Sequence, residues 1–451
     1  MFAAAFGVGH SAPVRRALRR PPVPVLLTEG IAAGACAPPD VIVIGPGGSR
    51  KSVRGETPCG QVAAGPAGKW LASGTMPGTG TPAGSMAAQA LLDLRLSTRP
   101  NGAVVAGWHG IWEYTWPRDS SWAAVAFAVT GHGTDALRVL RFLRTVQLRD
   151  GWWAARYRLG GRPVRDGRPA ELDADGWVPW ATWEWFETSG PGRPATVRAL
   201  TGLWPMIRSA ADAAERSLSP SGLPGPAVDY WEHGAQVTLG TAAPLLTGLR
   251  AAADLAGALG RRAAAKNWAA AAARLSGAIG SAFGCYGFNR LPHDSSDPDA
   301  SVTFLGPPFG PASGPLRRAV ARAGRALTLP DGGMLPGTDW PGNRSTAWTA
   351  ETAFFALSDA ATGQHTRAAA ILSWLAAHRT PLGALPEQVT AAGRPASVAP
   401  LAWTDAAVVL ALTAQSRPLP TVPVPSAARG TRAGRGTDGG CALPALAVLG
   451  R

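Results

Sequence analysis

Residues 116–146 read Trp-Pro-Arg-Asp-Ser-Ser-Trp-Ala-Ala-Val-Ala-Phe-Ala-Val-Thr-Gly-His-Gly-Thr-Asp-Ala-Leu-Arg-Val-Leu-Arg-Phe-Leu-Arg-Thr-Val. Two helices follow from this stretch. In Ser120–Thr130 the residues Trp122, Val125, Ala126 and Val129 share one helical face. Gly131 and Gly133 break the run, and Thr134-Asp135 open a second segment. There Leu137, Leu140, Phe142, Leu143 and Val146 recur at helical spacing. The unit is a helical hairpin, and the same texture continues. Further helices are predicted near 176–188, 196–218, 240–259, 262–283, 314–328, 346–362, 365–378 and 401–415, with a short one around Leu91–Leu96. About eleven or twelve helices in pairs, with few alternating strands and no repeat of fixed length, suit a closed double ring of helices rather than a solenoid. The predicted fold class is all-α, a barrel of paired helices over residues 86–415. An irregular N-terminal segment, 1–85, precedes it and a Pro/Gly/Arg-rich tail, 416–451, follows.

Composition narrows the function. Of 451 residues, 46% are hydrophobic and 16% charged, enough apolar material for a large core. No stretch reaches the roughly 18 apolar residues of a membrane span, so a soluble protein is expected. The net charge of +14 suggests a nucleic-acid partner at first sight. However, only Lys51, Lys69 and Lys266 are lysines, the arginines are scattered, and no basic run interleaves with aromatics. Scarce Lys with abundant Arg and Ala is the mark of a GC-rich genome, and nucleic acid is not expected as a partner. Cys36, Cys59, Cys285 and Cys441 lack zinc-site spacing, and the seven His form no H-E-x-x-H. No metal and no cofactor is expected. A bridge between Cys36 and Cys59 is compatible with the sequence but not argued by it.

Two N-terminal features mimic motifs. Arg15-Arg16 and Arg19-Arg20 precede Pro21–Leu27 and a small-residue stretch ending at Cys36, the outline of a degenerate secretion or lipid-attachment signal. The apolar run is short, holds three prolines and is followed by Glu29. Val41–Ile44 and then Gly45–Ser52 fall one residue short of a phosphate-binding loop. Arg50 stands where the second glycine must let backbone approach phosphate, and no helix is signalled after it. A strand and a turn are expected there.

The 18 tryptophans are the strongest chemical signal. Trp108, Trp112, Trp116, Trp152, Trp153, Trp231 and Trp340 fall in loops or at helix starts. An indole face beside carboxylates and arginine suits the apolar face and polar rim of a sugar ring. Mid-helix Trp180, Trp268 and Trp374 are expected to fill the core. Arg118-Asp119 stand before a helix, where an acid serves as a cap, and Glu171, Asp173 and Asp175 open another. Asp229-Tyr230-Trp231-Glu232-His233 lie in a loop after two prolines. A Glu against Trp in a partly dry loop would hold its proton, as a general acid must. Leu385-Pro386-Glu387-Gln388 lie in a loop ahead of the last helix. Alone, each Glu reads as a surface residue.

Taken in order, Trp116-Pro117-Arg118-Asp119, Asp229-Tyr230-Trp231-Glu232 and Pro386-Glu387-Gln388 with Leu401-Ala402-Trp403 resemble the motifs of glycoside hydrolase family 15, the glucoamylase family, in its compact bacterial form. The resemblance spans about residues 70–415. It implies an (α/α)6 barrel that cleaves α-glucosidic bonds from the non-reducing end with inversion, without cofactor. By it, Glu232 matches the general acid and Glu387 the general base. Arg118 and Asp119 match the pair holding the terminal sugar, and Trp116, Asp229 and Trp231 match further substrate-binding neighbours. The chain departs from the family in lacking room for an extra β-sandwich or starch-binding module. It also has His233 where a second acid is common, which brings short oligosaccharides or trehalose-like disaccharides into view. Two other readings remain: a non-catalytic sugar-binding relative, which the two intact Glu oppose, and another enzyme on the same barrel, such as a trehalase or a polysaccharide lyase. A lyase would want a Tyr or His base, and only four Tyr are present.

Overall fold

A computed structural model of the chain describes residues 23–34, 41–53, 65–81 and 83–425. Cys36, Cys59, Cys441, the paired arginines near residue 15 and the tail from 426 lie outside these residues. Twelve α-helices stand among the described ones. They are α1 (Gly65–Ala72), α2 (Gly84–Ser97), α3 (Pro117–Val129), α4 (Gly133–Val146), α5 (Ala174–Thr188), α6 (Pro194–Arg216), α7 (Leu239–Ala258), α8 (Arg262–Ala282), α9 (Gly314–Leu327), α10 (Thr349–Ala361), α11 (His365–Ala377) and α12 (Ala402–Ser416).

The helices form the expected (α/α)6 barrel. The inner ring runs α3, α5, α7, the 3-10 helix Ala300–Leu305, α10 and α12, each packed on the next and α12 closing on α3. Outside it stand α4, α6, α8, α9, α11 and α2, each packed on an inner neighbour. Burial explains the two textures of the sequence. Every residue of α3 is buried, and nearly every residue of α5, α7, α10 and α12. In α4, α6 and α9 only one stripe is buried, the amphipathic pattern of a helix with one solvated face. The small residues of the inner helices permit close crossings. A Cβ on Gly176 would lie 2.1 Å from the carbonyl oxygen of Pro244, so α5 and α7 meet backbone to backbone.

Aromatic rings fill the barrel axis. Trp122 packs against Trp177 at 5.4 Å, Trp177 against Phe304 at 5.1 Å, and Phe354 against Trp403 at 4.8 Å between centroids. These tilted and edge-on contacts are the arrangement aromatic quadrupoles favour. They plug the barrel axis, and a cavity opens above them at the end where the inner helices begin.

The stretch expected to be irregular is partly ordered into strands. β1 (Gly30–Ala33), β2 (Val41–Ile44) and β3 (Arg50–Ser52) form an antiparallel sheet, and Pro46–Gly48 is a 3-10 turn, so the near miss to a phosphate loop is a strand and a turn. Ile31 and Val41 pack on Val105 and Trp108 of the barrel. A second small sheet joins β4 (Ala347–Trp348), β5 (Gln388–Val389) and β6 (Pro395–Ala396). It explains why α10 begins at Thr349 rather than at the expected 346. No helix among the described residues is long and apolar enough to cross a membrane.

Candidate active site

The inner helices begin at one mouth of the barrel, and every start but that of α7, which Thr238 caps, carries acid. Asp119 lies in the first turn of α3, Asp175 in that of α5, Glu351 in that of α10 and Asp405 in that of α12, while Asp299 caps the inner 3-10 helix. Helix N-termini present unpaired N–H groups and a positive dipole end, which favours carboxylates there. Burial opposes ionisation, and the balance differs by position. It pushes Asp119 up to about 6, against the pull of Arg118. It pushes Glu351 up to about 8, with the charge of Glu387 adding to the rise.

A cavity of about 200 Å³ opens at this mouth. Trp116, Arg118, Asp119, Trp231, Glu232 and Glu387 all line it. Of the seven predicted site residues only Asp229 stands behind the wall, fully buried. Its carboxylate pairs with Arg290 at 2.7 Å and accepts the Trp231 N–H at 3.0 Å, and its carbonyl accepts the Glu232 N–H at 2.7 Å. This tight turn sets Glu232 at φ 52°, a left-handed conformation rare for Glu and held by the turn around it.

The expected helix start moves by three residues. Trp116 is the N-cap and Pro117 the first residue of α3, so Arg118 and Asp119 lie inside the first turn and neither caps by its side chain. Arg118 is clamped by Glu171 at 2.5 Å, Asp173 at 3.1 Å and Asp119 at 3.8 Å. Its guanidinium lies 4.7 Å from the Trp403 ring centroid. Glu171 and Asp173, which read as caps in the sequence, fix this arginine at the cavity floor; burial, partly offset by Arg118, raises Glu171 to about 7.

The two predicted catalytic glutamates occupy different surroundings. Glu387 is buried. Its Oε1 accepts the indole N–H of Trp112 at 3.0 Å, and its Oε2 accepts the hydroxyl of Ser397. Burial raises its pKa, and these two donors restrain the rise. Glu232 stands at the rim with its side chain 30% exposed. The loop there is wetter than expected, and the indole that meets this carboxylate is Trp116, donating at 3.1 Å, rather than Trp231. Arg168 pairs with the other oxygen of Glu232. Trp231 instead lies edge-on to Trp340 at 5.1 Å, with the Arg290 guanidinium 3.6 Å from its centroid.

The loop tryptophans divide. Trp112, Trp116, Trp231 and Trp340 line the cavity, whereas Trp108 and Trp153 are buried in the core. Trp152 is not among the cavity residues. Trp180 and Trp268 are core residues, as expected. The reading of the sequence missed Arg156, Arg168, Trp348 and Glu351, all lining the cavity, and Ser397 behind Glu387. Only Glu351, in Thr-Ala-Glu at a helix start, carried a local signal. No group of three or more His, Cys, Asp or Glu among the described residues could hold a metal ion.

No protein-family model matches the chain. A Methanocaldococcus jannaschii protein named as an uncharacterized glycosyl hydrolase is 25% identical over 187 residues. That match covers 41% of this chain and 29% of that protein, under a third of its length. Among solved structures, a wild-type glycosidase superposes with a TM-score of 0.63 at 19% identity, covering 74% of this chain and 97% of that one. A bacterial glucoamylase complexed with acarbose gives 0.63 at 17% identity, covering 78% of this chain and 58% of that one. At these identities the likeness is one of fold: the chain shares the helical barrel of glucoamylase-type enzymes.

Proposed function

We propose that this chain is a glycoside hydrolase that removes glucose from the non-reducing end of α-glucosides with inversion. One observation carries the reading: two glutamates from distant loops, Glu232 and Glu387, face one tryptophan-lined cavity whose floor is the Arg118–Asp119 pair. A cavity closed at one end by charged hydrogen-bonding groups suits a terminal sugar rather than the middle of a chain. The named activities of the glycosyl hydrolase relative and of the glycosidase and glucoamylase neighbours agree with it.

In this scheme Glu232 protonates the glycosidic oxygen as the bond to the anomeric carbon breaks. Glu387 takes a proton from a water that attacks the opposite face. Its burial and its two donors leave it one conformation, as a base that must aim at a water requires. Asp119 and Arg118 hold the hydroxyls of the terminal sugar, and Trp403, its ring centroid 4.7 Å from the Arg118 guanidinium, helps fix that group's place. The scheme needs no metal or organic cofactor. An inverting pair requires carboxyls about 6.5–9.5 Å apart, with the water between them. The experiment is proton NMR of the first product from a panel of α-glucosides. β-Glucose is expected first. Early α-glucose would mean retention and remove Glu387 from the role of base, and no release from any α-glucoside would remove the activity itself.

A further inference from the structure

Two arginines line the cavity beside Glu232, and the scheme above uses neither. Arg156 is 5% exposed. Its guanidinium lies 4.8 Å from the Tyr114 ring centroid and 5.2 Å from that of Trp116, donates to the carbonyl of Ile111 at 3.2 Å and pairs with Asp166. Arg168 sits farther out, paired with Glu232 and 3.6 Å from Asp166. Two guanidiniums thus share two carboxylates, Asp166 and Glu232.

This balance cannot survive the reaction. If Glu232 is the proton donor, it must be neutral in the substrate complex and regains its charge only as the glycosidic bond breaks. Arg156 and Arg168 then share Asp166 alone, and one positive charge at the leaving-group side is left without a counterion. The third arginine of the cavity, Arg118, has three carboxylates within 3.8 Å, so its charge is already met and only its remaining N–H groups are left for neutral hydroxyls. A neutral leaving sugar would leave Arg168 facing the cavity with only its share of Asp166, 3.6 Å away. A carboxylate or phosphate on that sugar would restore the balance, through the two-pronged geometry in which guanidinium binds such groups best.

The geometry points to a leaving-group subsite, built from Arg168 with Arg156 behind it, that selects α-glucosides whose leaving sugar carries an anionic group. The inference rests on the reading of Glu232 as proton donor. The position of the two arginines supports it further. Arg156 is preorganised by stacking and by Asp166, whereas Arg168 can exchange Glu232 for a ligand by moving only its own side chain.

Glu232→Gln reproduces the neutral acid and permits binding to be measured without turnover. Titration calorimetry of this variant would compare two matched pairs: maltitol with maltobionate, and trehalose with trehalose 6-phosphate. The anionic member of at least one pair should bind about tenfold more tightly, the worth of one charge-assisted pair. The pair that responds distinguishes a carboxylate from a phosphate partner. The advantage should shrink with added salt and disappear in Glu232→Gln/Arg168→Gln, while Arg168→Lys, which keeps charge but loses the fork, should retain part of it. In the unsubstituted protein at neutral pH the preference should be smaller, because the Glu232 carboxylate competes for Arg168. Equal binding of both members of both pairs to Glu232→Gln overturns the inference and leaves the hydrolase reading standing. Binding of no glucoside at all, with no cleavage by the unsubstituted protein, overturns the hydrolase reading and this inference with it.

Discussion

Ser397, at a φ of 63°, donates its hydroxyl to Oε2 of Glu387. A serine in the left-handed region is uncommon, and here it brings a small donor under a buried carboxylate. That bond, with the one from Trp112, favours the ionised form that a base needs. Ser397→Ala should therefore raise the Glu387 pKa and move the acidic limb of the kcat/KM profile up by about one pH unit. Ser397→Gly also loses the hydroxyl and should show the same shift. A profile that moves in neither variant would separate Ser397 from the base.

Glu232→Gln and Glu387→Gln should fail differently. Each should lose about 10²–10⁴-fold in turnover of an ordinary α-glucoside. With α-glucosyl fluoride, whose leaving group needs little protonation, Glu232→Gln should recover most of its rate and Glu387→Gln should not. Equal damage on both substrates would break the assignment of roles.

Arg290 stands behind the cavity wall, paired with Asp229. It neutralises Asp229 at 2.7 Å and stands 3.7 Å from Asp299, whose other oxygen accepts the Tyr230 hydroxyl at 2.9 Å. Arg290→Leu would leave buried carboxylates unpaired, and urea unfolding should show a loss of about 3–5 kcal/mol. Because Asp229 shapes the turn that presents Glu232, kcat should fall more than KM rises. A stable variant with unchanged kinetics would free the turn from this pair.

Buried acids also set a direction for stability with pH. Burial raises Asp93 of α2 to about 8, partly restrained by Gln89, and raises Asp405 of α12, with the charge of Asp93 adding to it. Glu351 reaches about 8 in the same way. Their folded pKa values exceed the unfolded ones, so between about pH 4 and 8 the folded chain holds protons that the unfolded chain has released. Stability should fall as pH rises through that window, by a few kcal/mol in order of magnitude. Asp93→Asn, the isostere of the protonated acid, should flatten the decline in Tm. A Tm that climbs from pH 5 to 8 would contradict this account.

What could be read in the sequence follows from how local each signal is. The outer helices α4, α6 and α9 announce themselves because one stripe meets the core and the rest meets water. The inner helices are buried on every face, so the one-face pattern of Trp122, Val125, Ala126 and Val129 that marks α3 in the sequence understates its burial, which takes in the whole helix. α3 begins at Pro117 rather than at the expected Ser120, because proline lacks an N–H and suits the first helical position, where none is needed. The candidate site was legible where its residues travel in short groups, as in Asp229–Glu232. The bond from Trp112 to Glu387 joins residues 275 apart, and no local pattern reports it. Nor does one mark Arg168, in a loop rich in Gly, Pro and Arg, as the partner of Glu232. The indoles were read as stacking faces, and two of them act as N–H donors to the two glutamates.

The strand-like segment before β1 reaches across the whole chain. Leu27 donates to the carbonyl of Ser397 at 2.7 Å, Ser397 donates its own N–H to Val25 at 2.8 Å, and Thr28 receives the N–H of Ala399 across 371 residues. The loop bearing Glu387 is therefore held by some of the first described residues to leave the ribosome and by the last helix of the barrel. The seat of Glu387 cannot close until the final helix has emerged and met residues made long before it, and the turn of Glu232 shares that dependence, because Tyr230 packs edge-on to Trp403 of α12 at 5.9 Å. Both halves of the candidate site thus wait on the last helix of the barrel, and neither loop meets its final neighbours while that helix is still being made.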